Sequence, residues 1–443
     1  MNEVAALLLV LFLLGIIAAT VHFARTRWSW SAEGSRKAIH LGMGMVTLLF
    51  PWLFSSVLTV WIIALIALVP LLLLRLRPHH QAAEMLHGVR RSSYGEICFP
   101  LGVAVLFTLS EGDPARYLPP LLVLTFADGL AALAGVRYGK LHYVTDEGTK
   151  SLEGSLAFFT VAFLATFLCL LLTGEESLSR VFALALLFGM VTVVIEAIAW
   201  RGLDNLFLPL LGLLFLDAYR AVDETGLWLR FTVLLLLLGF TFWRKHRTTL
   251  NDSALIGSAL FGYLVWAVGG WIWVLPPLLL FLAYPRLIPY RPGDTGNTET
   301  AVGVLAVVLV GLLILLLDRE ASLDTGFLLY SFSFAAHLGL IWLERAKGLA
   351  LPHVATVLLT ALLAQGLILG SSLFLTPIPA TPGLVLTAFG LGLCLHLLRN
   401  RGPATPTGQP FRLRGWVDRT LLVLAATLLL ALFFEPSSPF SLP

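Results

Sequence analysis

The apolar residues of this chain gather into many long runs, spread from Leu7 to Phe434. They fall near 4–20, 38–54, 57–74, 96–110, 118–136, 154–173, 181–199, 206–216, 227–243, 253–269, 271–285, 301–317, 325–343, 353–373, 381–398 and 419–434. A helix needs about 20 apolar residues to cross the hydrocarbon core of a bilayer. The pattern therefore predicts an all-α, polytopic transmembrane helical bundle of about 14–16 membrane segments. The runs 206–216 and 271–285 are short, so half-helices or re-entrant pieces buried in protein are expected among them. The first run, Val4 to Thr20, is too long for the core of a signal peptide and has no basic region before it, so it reads as the first span.

Composition agrees with the pattern. Of 443 residues, 58% are hydrophobic and 12% charged, where a soluble domain carries roughly 25% charged residues. No sizeable soluble domain fits in such a chain. The net charge of +3, from 29 basic and 26 acidic residues, is too balanced for a nucleic-acid binder, and no nucleic-acid partner is expected. Cys98, Cys169 and Cys394 sit inside apolar runs without Cys or His at ligand spacing, which excludes a zinc site or a disulfide framework.

Charge also orients the chain, because cytoplasmic loops hold most of the Lys and Arg. If the loop after the first span is cytoplasmic, alternating loops put every basic residue on that side except Arg116, Arg180, Arg220, Arg230 and Arg319. Both termini are then expected outside, in what reads as a bacterial inner membrane. Polar residues inside apolar runs are costly in lipid and become site candidates. They are Arg36, Lys37 and His40; Tyr94 to Glu96; Asp128 through Lys140; Lys150 through Gly154; and Glu196 with Asp204 and Asn205. Each lies at or just below the cytoplasmic end of a predicted span, so one cytoplasmic pocket can collect them.

Asp128 lies eight residues inside its predicted helix end, on the order of 12 Å deep. It requires water, a metal or a partner there. Ala131, Ala132, Gly135 and Gly139 follow on the same face, which also suits a plain helix-packing seam with Asp128 hydrogen-bonded across it. The loop 137–153 mixes Arg137, Lys140, His142, Asp146, Glu147, Lys150 and Glu153 and ends at a helix start. Mixed charge suits a metal-bridged polyphosphate, with cations on its oxygens and helix N–H donors beside them. Lys150 and Ser151 would supply such contacts; a merely solvated loop is the alternative. Gly148-Thr149-Lys150-Ser151 is not a P-loop, because the glycine spacing is wrong and no strand is predicted before it. Arg36, Lys37 and His40 share a helix face and suit a phosphate, or else ordinary snorkelling at the membrane edge. Glu96 and Glu196 lie near span ends, and Asp204-Asn205 forms either a loop capping a half-helix or a simple N-cap.

Taken in order, Arg36-Lys37-x-x-His40, Ser93-Tyr94-Gly95-Glu96, Asp128-Gly129-Leu130-Ala131-Ala132 with Gly135 and Gly139, Lys150-Ser151-Leu152-Glu153-Gly154-Ser155, and Glu196 with Asp204-Asn205 resemble the dolichol kinase, phytol kinase and CTP-dependent diacylglycerol kinase family. The resemblance covers about residues 30–215. It implies transfer of a phosphoryl group from CTP to a membrane lipid alcohol such as phytol or another polyprenol, with Mg2+ as cofactor. It implies Asp128 and Asp204 as metal or nucleotide anchors and Lys150 as phosphate neutraliser. Arg36, Lys37, His40, Gly135, Gly139, Lys140 and Ser151 would hold nucleotide or phosphate, and Glu153 would orient Lys150 or accept the alcohol proton. Glu96, Glu196 and Asn205 remain polar site candidates. The block also resembles CDP-diacylglycerol synthases, although the segment from Ala197 to Asn205 lacks their Lys-Arg, His-Gly-Gly and Asp-Arg elements. A cytidylyltransferase, or a lipid or solute transporter without nucleotide turnover, is thus the alternative.

Residues 1–224 form the expected kinase-like domain and 225–443 a second transmembrane domain. In the latter, Asn251-Asp252-Ser253 with Gly257, Gly262 and Gly269-Gly270-Trp271, and the loop Gly293 to Asn297, resemble the membrane family that includes phytyl-phosphate kinases. A scaffold or lipid-delivery bundle is the other reading of this half.

Overall fold

The computed structural model describes residues 2–76, 94–146, 148–173, 177–248, 250–287, 299–323, 325–346 and 413–434, with Gly366 and Gly370. Among these residues the chain is helical apart from one two-stranded hairpin, as the all-α expectation requires. Contacts divide the chain into two compact units, Met1–Thr232 and Val233–Pro443. Apart from Gly366 and Gly370, the runs 353–373 and 381–398 lie outside the described residues, as do the loop Gly293 to Asn297, Glu147 and Ser93.

Among the described residues, seven helical stretches are long and apolar enough to cross a membrane, and four more, Val57–Leu73, Gly95–Ser110, Trp271–Tyr284 and Gly326–Leu340, are apolar but shorter. The first unit begins with α1 (Glu3–Trp28), α2 (Ala32–Thr47), α3 (Phe50–Leu53), α4 (Val57–Leu76) and α5 (Gly95–Ser110). Their ends follow capping chemistry. Asn2 and Ser31 side chains accept the amides of Val4 and Gly34, and Arg25 and Arg27 occupy the last turn of α1, where cations oppose the helix dipole. Glu3 accepts from Ser55 N, Ser55 Oγ and Ser56 N, so the start of α1 lies beside the start of α4. Trp61 donates to Thr108 Oγ1 at 3.0 Å, so α4 and α5 run antiparallel.

After α6 (Pro114–Leu122) the helix widens into a π-turn over Val123–Ala127 before resuming as α7 (Asp128–Tyr138). Pro119 and Pro120 stand one turn earlier, where their rings can donate no backbone hydrogen bond. The 137–153 loop is not wholly irregular. His142–Thr145 (β1) and Gly148–Ser151 (β2) pair antiparallel, with Thr145 opposite Gly148. Gly148 takes a φ of 132°, which a side chain would resist. Beyond it come α8 (Leu152–Thr173), α9 (Leu178–Ile198) and α10 (Asp204–Arg220). The 206–216 run is thus part of a longer helix than its apolar residues alone suggested. The added turns are polar, and Asp217 within them is held by Arg116 through two hydrogen bonds of 3.0 and 2.7 Å.

The small-residue face after Asp128 does pack another helix. A Cβ on Gly135 would stand 3.8 Å from Gly154 Cα, and one on Gly154 would stand 3.1 Å from Ala131 O and 3.3 Å from Gly135 Cα. α7 and α8 therefore approach backbone to backbone, as small residues permit.

The second unit contains α12 (Asp252–Gly269), α13 (Trp271–Leu287), α14 (Ala301–Ala321), α15 (Gly326–Ala346) and α16 (Leu413–Phe434); α11 (Glu224–Trp243) carries the chain from one unit to the next. Its core is aromatic, with Tyr330 edge-on to Trp273 and Phe334. Asn251 caps α12 through Ala254 N, and Lys245 pairs with the buried Asp252 at 2.6 Å. Glu299 accepts from Tyr284 Oη at 2.9 Å.

Replacing Gly154 by Leu is expected to force α7 from α8 and to lower stability by about 1–3 kcal/mol. Thermal unfolding in one detergent should show that loss, with no loss for Gly15→Ala, where no neighbouring atom lies within 4 Å.

Candidate functional site

Two ion pairs organise the polar interior of the first unit. Lys37, on α2, points its ammonium at Asp128 Oδ2 from 2.6 Å, and both side chains are 18% exposed. Lys150, at the end of β2, is held by Glu196 near the end of α9, through the carbonyl oxygen at 2.6 Å and Oε1 at 2.7 Å. Glu196 is 14% exposed and Lys150 27%. A half-buried ion is tolerated only with a partner of opposite sign, and each of these four charges has one. Burial opposes charge on Lys150, yet the Glu196 carboxylate wins and holds the ammonium above its ordinary pKa.

His40 lies one turn beyond Lys37. Its Nε2 is 3.1 Å from the Leu124 carbonyl and 4.0 Å from Asp128 Oδ2, and Phe99 meets the ring edge-on at 5.0 Å. The Leu124 carbonyl belongs to the π-turn, so the widened turn that starts α7 also offers the histidine an acceptor. Such turns recur at functional sites because they re-aim backbone groups without ending the helix.

Asp204 joins the group electrically. Its charge interacts with those of Asp128, Lys150 and Lys37, and Glu196 in turn feels Asp128 and Asp204. Arg36 acts on Asp128 as well. Residues from five parts of the sequence thus share one electrostatic neighbourhood, which sequence spacing alone could only suggest. Leu203 is the N-cap of α10 and Asp204 its first helical residue, so Asp204 is not the N-cap that its sequence position also allowed. Asn205 is buried and donates to Gly95 O at 2.9 Å, tying α10 to the start of α5. Glu96 lines a cavity with Arg36, His40 and Asn205.

Other expected site residues lie elsewhere in the unit. Glu153 accepts the amides of Lys140 and Leu141 at 3.0–3.3 Å, closing the base of the hairpin, and the group that orients Lys150 is Glu196. Lys140 is exposed. Ser151 is buried and accepts the Gly154 amide at 3.1 Å, so it caps α8. Gly135 and Gly139 face Ser151 across the helix contact, where side chains would not fit. Sequence reasoning missed Phe99, the Leu124 carbonyl and Tyr143, whose hydroxyl is 2.7 Å from Ser155 Oγ. A phenylalanine in an apolar run carries no signal, and a main-chain carbonyl never does.

A phytol kinase of Synechocystis sp. is 30% identical to this chain over 199 residues, 44% of this chain and 84% of that protein. The chain belongs to the phytol kinase family. No family model matches it, and no solved structure does. Family membership concerns less than half the chain, a length that one of the two units can hold.

Lys150→Met leaves the Glu196 carboxylate without its cation and is expected to cost about 3 kcal/mol. Lys150→Met with Glu196→Gln should recover most of that loss. Thermal unfolding of both single variants and the double variant measures the coupling; simple additivity would show that the two side chains do not act as a pair.

Proposed function

We propose that this protein transfers the terminal phosphoryl group of CTP, with Mg2+, to the hydroxyl of phytol or another polyprenol at the cytoplasmic face of a bacterial inner membrane. The reading rests on one observation above all: in a relative of a phytol kinase, half-buried cations and carboxylates from α2, α7, β2, α9 and α10 interact with one another. Phosphoryl transfer asks mostly for positioning and charge neutralisation, and this chemistry is available there.

Lys37 and Lys150 are the cations assigned to the phosphate oxygens. Each leaves its carboxylate partner to take up phosphate, so the resting ion pairs keep the site from holding unpaired charge before the nucleotide arrives. Among the described residues no three His, Cys, Asp or Glu side chains form a ready-made metal cage. Mg2+ bound with a nucleotide usually takes only one or two carboxylates, together with phosphates and waters. Asp128 and Asp204, close enough for each to oppose the other's charge, fit that use and would hold the ion. Its contribution would be to neutralise charge developing on the phosphates.

In the transfer the alcohol oxygen forms a bond to the terminal phosphorus, the bond from phosphorus to the bridging oxygen breaks, and CDP leaves with the electron pair. The hydroxyl proton passes to His40, and Asp128 stays with the ion. Arg36, at the same end of α2, would steady phosphate or headgroup.

The test is purified protein with labelled CTP, Mg2+ and phytol, farnesol or diacylglycerol. A lipid monophosphate and CDP are expected. Pyrophosphate with a CMP-lipid would identify a cytidylyltransferase instead, and solute flux without nucleotide turnover a transporter. Asp128→Asn should cut turnover by at least about 100-fold while far-ultraviolet circular dichroism stays that of the parent.

A further inference from the structure

The first unit holds a half-open cavity of about 240 Å³ lined mainly by α1, α2, α4 and α5. Its composition is sharply divided along its length. One end is bounded by Arg36, His40, Glu96 and Asn205. The rest is walled by apolar side chains such as Leu14, Met43, Phe50, Ile63 and Val103. Thr47 is the polar exception at the far end, and its hydroxyl is already bonded to Gly44 O at 2.9 Å.

The helix directions fix which end is which. The wall on α2 runs from Arg36 to Thr47 and that on α4 from Leu71 back to Val60, each about 16 Å of helix. The Trp61–Thr108 hydrogen bond sets the start of α4 against the end of α5, so Leu71 lies toward Gly95 and Glu96. A single elongated cavity with one polar end matches an amphiphile with one polar head and one apolar chain. The polar end is continuous with the ion-pair cluster, because His40 lines the cavity and also lies 4.0 Å from Asp128 Oδ2.

We infer that this cavity is the binding site for the single hydrocarbon tail of the lipid alcohol, threaded between α2, α4 and α5 with its hydroxyl at the His40 end. The inference rests on the kinase reading for the identity of the head and on the cavity alone for the tail. Lipid is as apolar as the cavity wall, so entry of the chain gains little hydrophobic free energy. The cavity instead acts on position: it holds the hydroxyl beside Asp128 and takes it out of free diffusion in the headgroup plane. Chain length is then limited by sterics, and the depth of the cavity sets the limit.

The residues Ala67, Ala64 and Val60 stand at increasing distance from the His40 end along α4, and none belongs to the ion-pair cluster. Full-length protein in nanodiscs, carrying Ala67→Phe, Ala64→Phe or Val60→Phe, is assayed with prenols of one to four isoprene units. Ala67→Phe is expected to lower kcat/KM for the longest prenol at least tenfold and to leave the shortest unchanged. Ala64→Phe should permit a longer chain than Ala67→Phe, and Val60→Phe a longer one still. In parallel, a prenol with a terminal diazirine is photolysed on the parent protein and the adduct mapped by mass spectrometry. Adducts on α2, α4 or α5 that excess phytol displaces and excess phospholipid does not would support the site. An equal loss for all chain lengths, adducts elsewhere, or displacement by phospholipid, which would make this an acyl-chain cavity, would each overturn it. If the parent phosphorylates no prenol yet adducts form in the cavity and phytol displaces them, the kinase reading fails and the tail site stands.

Discussion

Charge inside a membrane protein must be compensated locally, and the first unit is arranged around that constraint. Water can solvate Lys37, Asp128, Lys150 and Glu196 only in part, so each gains from an opposite charge within contact distance. Meeting that need brings α2 to α7 and the hairpin to the end of α9. Elements far apart in the chain are drawn to one place by four side chains, and Asp204 enters the same field from α10. The arrangement that keeps the charges tolerable also suits the proposed reaction, in which phosphates would replace carboxylates as partners of the lysines.

Backbone geometry makes this convergence possible. The π-turn after Pro119 and Pro120 delivers Asp128 to the start of α7 and turns the Leu124 carbonyl toward His40. The glycines that follow let α7 lie against α8 at close range, and this contact seats Ser151 and the hairpin beneath them. Glu153 completes the support by gathering the amides of Lys140 and Leu141. Residues of the 137–153 loop thus also hold Lys150 where Glu196 can reach it.

Much of this was legible in advance, but unevenly. Asp128 stood out because an acid deep in an apolar run has few innocent explanations, and Lys37 and His40 because helical spacing sets them on one face. Glu196 was visible as a polar residue, whereas its pairing with Lys150, 46 positions away, was not. Ser151, Gly135 and Gly139 carried the same sequence signal for packing as for phosphate binding, and only the distances across the α7–α8 contact show the packing. The polar ends of α10 hid a full helix because Asp217 looks unfavourable there until Arg116 is seen beside it.

Hydropathy by itself determined that the chain is a helical membrane protein, since apolar runs without internal polar partners can satisfy their backbone in lipid only as helices. It also singled out which charges had to be explained. Which charge answers which, which glycines serve packing, and that the polar ends of α2, α5 and α10 bound one divided cavity were decided only in three dimensions. Those outcomes depend on contacts between residues tens to more than a hundred positions apart, and local pattern contains no measure of such distances.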